Sequence, residues 1–256
     1  MREGSLNDYK AGTRTNIGAM SALSLIAENG EYKYASITDV KEPIQIKKRG
    51  VIIAITREAI INDDLDAFTK IPLMAGRAAA RAVGDAVYAL LTANAALAQD
   101  SVALFHSTHA NIGSSGAPSV ARLDEADKLM AVQKSPGSAE SGGLNTELAR
   151  VIVPRALKTT ARVLQTSQYD PAGAAGTLKP NPFSNNFVTV SDARLDATSA
   201  SVWYATADPN THDTIEVAFL NGNREPFLES RDGWNVDGIE TKVRHEFAAA
   251  VLDYRG

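Results

Sequence analysis

"IQIKKRGVIIAITREAIINDDLDAFTKIPLMAGRAAARAVGDAVYALLTAN", Ile44 to Asn94, changes its period halfway along, and the change decides the fold class. Ile44 and Ile46 alternate before "KKRG" (Lys47 to Gly50), and Val51, Ile53 and Ile55 alternate after it. Period-two spacing on both sides of a short turn that ends in glycine predicts a β-hairpin. Strands of about ten residues rising about 3.3 Å each would reach roughly 30 Å. A hairpin that long needs a partner surface, from its own chain or from another.

From Asn62 onward the spacing is helical. Asn62 or Asp63 is placed to cap, and Asp63, Asp64 and Asp66 would face the positive end of the helix dipole. Apolar residues recur at Leu65, Phe68, Ala75, Ala79, Val83, Val87 with Ala86, and Leu90 to Leu91, which is one buried stripe. Pro72 lacks an N–H and crowds the preceding turn, so the pattern predicts a short helix, a kink near Ile71 and a longer helix ending near Asn94. The whole element would span about 45 Å and act as a strut.

Residues 1 to about 30 are rich in glycine and small polar residues and read as an arm. Downstream of the helix, Gly/Ser/Pro-rich stretches at 112–118 and 135–143 flank a short helix, Leu123 to Gln133. "ARVIVPRAL" reads as a buried strand stopped by Pro154, followed by a helix from Ala156 to Gln165 and a long loop at 170–186. The remainder is mostly strand: "NFVTVSDARL", "SVWYATA", "TIEVAFL", "EPFLES" and "GIETKVRHEFAAAVLD". This order is α+β, not doubly wound. Trp203, Tyr204, Phe219, Phe227, Trp234 and Phe247 fall on these strands or beside turns and are assigned to core packing.

Composition narrows the function. A net charge of −4 opposes nucleic-acid reading, which depends on Lys and Arg neutralising phosphates. There is no cysteine, so disulfides and thiolate chemistry are excluded. No stretch approaches the roughly 20 apolar residues of a membrane span, and the N-terminus shows no secretory pattern, so synthesis in the cytoplasm is expected.

Five stretches together resemble the HK97-fold major capsid proteins of tailed bacteriophages, nearest the Mu-like major head subunits and the capsid halves of prohead protease/capsid fusions. They are "ENGEYKY" (Glu28 to Tyr34), "TREAIINDDLDAF" (Thr56 to Phe68), "ALFHSTHAN" (Ala103 to Asn111), "VWYATADP" (Val202 to Pro209) and "VDGIETKVRHEFAAAVLDYRG" (Val236 to Gly256). The resemblance implies an N-arm at 1–29 and an extended E-loop hairpin at 30–56. A peripheral domain with a spine helix would fill 57–119, an axial domain 120–205, and strands returning to the peripheral domain 206–256. Fusion-type members carry a protease or scaffold-like region ahead of this part, and here the chain begins almost directly at the arm.

The function so implied is a major capsid protein that assembles into the icosahedral shell around the phage genome, in the virion. Implied partners are further copies in hexamers and pentamers, a portal, decoration proteins, and double-stranded DNA enclosed without sequence-specific binding. Ile44, Ile46, Lys47, Lys48, Arg49, Ile53 and Ile55 are the expected intersubunit contacts. Some members of this fold join E-loop lysine to a neighbour's asparagine, for which Lys41, Lys47 or Lys48 would supply the amine; the sequence identifies no acceptor. An encapsulin-like compartment shell is the alternative.

Residue-level chemistry offers rivals. His106 and His109 share an i, i+3 spacing that on a helix would present both rings to a metal, but the segment follows a helix end and runs into Gly113, which predicts a hydrogen-bonded loop. A hydrolase would combine Ser107 or Ser101 with one of these histidines and Asp85 or Asp100, yet no G-x-S-x-G elbow is present. "GSSGAPS" (Gly113 to Ser119) lacks the lysine of a phosphate-binding loop. No catalytic residue, metal or cofactor is therefore assigned.

Overall fold

The computed structural model describes residues 1–17, 26, 28, 31, 39–62, 70–135, 143–173, 178–233 and 237–256. Its centre is β10, Gly238–Val251, whose alternating burial follows the alternating apolar and polar residues read in the sequence. One side of β10 pairs antiparallel along Gly238 to Phe247 with β4, Lys47–Thr56. Its other side pairs with β9, Phe227–Asp232, and then with β8, Ile215–Leu220, which in turn pairs parallel with β1, Arg2–Leu6. These five strands form the larger sheet.

The two faces of that sheet are set by residue parity. Val217, Phe219 and Phe247 pack against Ala82, Val83, Ala86 and Val87 of α2, Ile71–Ala93. Ala218 and Ala248 on the opposite face pack with Ile44 and Ile46. Buried Ala75, Ala79 and Leu91 continue the predicted stripe along α2. The helix has 23 residues, about 35 Å at 1.5 Å each, because Pro72 sits in its first turn and starts it instead of kinking it. Asn62 closes the short α1, Arg57–Ile61, at its C-terminus, so it is not the N-terminal cap expected. The expected acidic cap at Asp63, Asp64 and Asp66, with Leu65 and Phe68, lies outside the described residues.

The expected hairpin is corrected by one strand. "KKRG" lies inside β4 and makes no turn, and β3, Asp39–Ile44, pairs with β2, Gly12–Ile17, not with β4. The phase of the apolar alternation does shift there, but the chain changes direction at Gln45–Ile46, where it leaves the β2–β3 ribbon and enters the sheet. Gly50 is needed because a Cβ there would lie 2.7 Å from the Val243 carbonyl across the strand pair. Within the expected arm, the first residues form a sheet strand that no apolar alternation announces.

A second core gathers around the three-stranded sheet β6–β5–β7, comprising Val188–Asp192, Arg150–Pro154 and Tyr204–Thr206. Leu123 and Met130 of α3, Val120–Ala131, and Ala161 and Leu164 of α4, Lys158–Thr166, pack with Val151, Val153, Phe183 and Phe187. Trp203 joins this core, and Asp192 caps the short α5, Ala193–Asp196. Phe227 departs from its assignment, being 45% exposed with the Arg244 guanidinium 4.6 Å from its ring centre. Trp234 lies outside the described residues.

Candidate functional site

The histidine segment is a scaffold. The His106 ring accepts the Thr108 N–H at 3.2 Å and so caps a single turn at Ser107–His109. His109 is buried, with Nδ1 3.1 Å from the Leu104 carbonyl and Nε2 2.7 Å from Asp100, and its ring stacks on Tyr254 at 3.8 Å. The two rings serve different partners. Among the described residues no three groups of ligand type converge to hold a metal. "GSSGAPS" is tied to α3 by its own chain: Arg122 donates to the Ala117 and Ser115 oxygens at 3.0 and 2.7 Å, and the Ser114 N–H donates to Glu125 at 3.1 Å.

That stack is part of a wider anchorage of the C-terminal residues. Asp253 is fully buried, accepts from His212 at 3.2 Å and pairs with Arg255 at 2.8 Å. Burial alone would push its carboxyl up, but the His212 hydrogen bond and the Arg255 charge outweigh that and hold it below the usual carboxylate range. Arg255 also donates to the Lys134 carbonyl at 2.7 Å, which ties the end of the chain to the segment after α3. A cleft of about 510 Å³ opens beside this anchorage, lined among others by Phe105, Ile112, Leu129, Trp203 and Tyr254.

The residues expected to meet neighbouring copies divide three ways. Ile44 and Ile46 are 2% and 3% exposed, covered by their own chain. The reason is the corrected strand order: β3 lies over the sheet, so its apolar residues complete an internal core. Ile53 and Ile55 are half-buried. Lys47, Lys48 and Arg49 are exposed, but the Arg49 guanidinium lies 4.2 Å over the Phe247 ring of its own chain. No described carboxylate comes within ion-pair distance of Lys47 or Lys48.

Alternation drew attention away from two exposed residues of β4. Val51 and Ile52 are 57% and 60% exposed, on opposite faces of β4. Among the described residues no strand pairs with the outer edge of β4, so its free N–H and C=O groups run alongside this apolar pair. The signal was the unbroken apolar run Val51-Ile52-Ile53, which a strand with one wet face would not carry. A basic head, an apolar pair and an open edge together suit a protein surface.

A family model described as phage capsid protein matches residues 39–256. The chain is similar in structure to a capsid chain of the cyanophage P-SCSP1u, with a TM-score of 0.62 and 13% identity over 99% of this chain and 84% of that one. A chain from Mycobacterium phage Adephagia gives 0.60 and 12%, covering 98% and 81%. A chain from the capsid of bacteriophage JBD30, decorated with minor capsid protein trimers, gives 0.57 and 16%, covering 75% and 88%. At such identities the likeness establishes the fold. No curated protein sequence matches the chain.

Proposed function

Because the chain belongs to the phage capsid protein family, a structural component of the virion whose copies assemble into a shell, we propose how its surfaces serve that assembly. Each copy presents the open edge of β4, with Val51 and Ile52 beside Lys47 and Lys48, to a neighbouring copy. That uncovered strand is the observation that carries the reading. Exposed branched residues beside an unpaired strand edge form a ready template for pairing with another chain. The ribbon at 12–44, bounded by β2 and β3, takes the role of the E-loop, one strand earlier than the sequence suggested. The larger sheet with α2 corresponds to the peripheral domain, and the β6–β5–β7 unit with α3, α4 and α5 to the axial domain.

Standard interfaces bury about 800 Å² per partner, and a subunit in a closed shell makes several. No single contact has to be tight, since closure multiplies modest ones. Hexamers and pentamers follow from repeating heterologous contacts that close on themselves. A portal, decoration proteins of the kind named for the JBD30 shell, and enclosed double-stranded DNA complete the proposed set of partners. The family match favours neither the compartment shell nor the hydrolase.

Expressed alone and viewed by negative-stain microscopy, the protein should form closed hollow particles. Val51→Lys/Ile52→Lys should leave the far-ultraviolet circular dichroism unchanged and reduce particle yield at least tenfold, because closure multiplies the loss at each contact. Particles formed in normal yield by this variant would remove β4 from the interface.

A further inference from the structure

We propose that Arg14 is a two-position latch: its guanidinium holds the β2–β3 ribbon on the sheet by pairing with Glu216, and transfers to Glu42 across the ribbon when the ribbon lifts. Glu216 is a charged side chain only 1% exposed. Its carboxylate takes Arg14 Nε at 3.0 Å on both oxygens and Arg14 Nη2 at 2.5 Å on Oε1. Nη2 also reaches the Ser5 carbonyl at 3.3 Å. Space for this pair exists because Gly4 has no side chain: a Cβ there would lie 1.9 Å from Glu216 Oε1. The two strands at the start of the chain thus meet β8, 202 positions on from Arg14, around one ion pair.

The second position is already built into the ribbon. Arg14 and Glu42 are directly opposed in the β2–β3 register. Opposed residues on an antiparallel pair share a face, with Cβ atoms about 5 Å apart. Instead each grips the body, Arg14 at Glu216 and Glu42 beyond α2. Glu42, 5% exposed, accepts the N–H groups of Ala98 and Gln99 at 3.1 and 2.9 Å in the turn beyond α2. Lifting the ribbon draws Ile44 off Ala218 and Ala248, breaks both grips together, and frees a cation and an anion that are opposed in register. Glu216 then faces a polar cleft of about 540 Å³ that Arg2 also lines, where water is able to solvate it. Intermediate positions leave three charges short of partners, which makes the device two-state, not continuously deformable.

The latch concerns the same ribbon as the assembly reading, but it is measured on the unassembled chain. The absence of cysteine lets spin labels be placed at Lys41→Cys and Asp232→Cys alone. In this background Glu216→Gln should move the label-to-label distances to a longer, broader distribution, and Arg14→Gln should do the same. Hydrogen exchange of the β2–β3 amides should stay near the parental rate in Glu216→Gln, because Arg14 still pairs with Glu42, and rise at least about tenfold in Glu42→Gln/Glu216→Gln. The β4–β10 amides report that the body remains folded. Distances in Glu216→Gln that superimpose on the parent would overturn the latch, as would ribbon exchange that accelerates equally in the single and double variants. Failure of every form to make particles would count against the shell reading and leave the distance result standing.

Discussion

His245 shows how a single residue ties this fold to pH. Its side chain sits between Phe219 and Phe247, with ring centres 5.9 and 5.1 Å away, and Nε2 donates to the Arg224 carbonyl at 3.2 Å. Nδ1 is buried with no hydrogen-bond partner among the described residues, so a proton there would have nothing to bind. Burial accordingly pulls the imidazole below its ordinary value of 6.5, and the nearby Arg49 adds to this against the Arg224 carbonyl and Glu246. A folded value depressed below the unfolded one means the stability is whole above pH 6.5 and is lost as pH falls through the folded value. The urea midpoint should therefore decline between pH 7.5 and pH 5, and His245→Gln, which keeps a donor for Arg224, should flatten that decline. An identical pH dependence in the variant would assign the effect elsewhere. Asp253 acts in a lower window: its depressed carboxyl keeps its contribution above the ordinary 3.8 and loses it only in stronger acid.

Elements were legible wherever one period ran without interruption. The stripe from Ala75 to Leu91 fixed α2, and alternation in "GIETKVRHEFAAAV" fixed β10, because both periods follow from burying one face against a core. The ribbon was not legible. β2 reads Gly-Thr-Arg-Thr-Asn-Ile, with no apolar face, and what holds it down is a charge 202 positions away in sequence. β1 was invisible for the same reason, as its place beside β8 depends on Gly4 leaving room for Glu216. The stop of α2 was readable at Asn94, and the structure shows why: the residue has φ 46° and ψ 45°, a left-handed conformation that Asn tolerates. Its side chain also accepts the Phe105 N–H at 2.7 Å and donates to the Phe105 carbonyl at 3.1 Å, joining the helix end to the histidine segment. Asn94→Ala should cost about 2 kcal/mol, from backbone strain and two lost hydrogen bonds. Asn94→Gly, which relieves the strain but loses the same bonds, should cost about half of that. Thermal unfolding of the two variants gives the order, and equal losses would assign the whole effect to the side chain.

For the whole molecule the decisive quantity is how much positive charge is left uncommitted. The chain carries 26 Lys and Arg against 30 Asp and Glu, and many of the cations are already engaged: Arg2 with Asp213, Arg14 with Glu216, Arg194 with Asp85 and Asp192, Arg224 with Glu3, Arg231 with Glu240. On the proposed reading, a wall with this balance would let enclosed DNA slide, whereas a basic wall would hold it along its length. The place where the expectation is most exposed is the start of α4. Arg155, Lys158 and Arg162 recur at helical spacing with no described carboxylate in ion-pair range, and the repulsion of Arg155 first and Arg162 second lowers the Lys158 amine. If all three contacted phosphates, the logarithm of duplex affinity would fall with the logarithm of salt at a slope of about −2.7. Assembled shells titrated with short duplex DNA between about 50 and 200 mM salt should instead give a slope shallower than about −1, with weak binding throughout. A slope near −3 that vanishes in Arg155→Glu/Lys158→Glu/Arg162→Glu would show that this stripe faces the genome and that the shell grips the DNA it encloses.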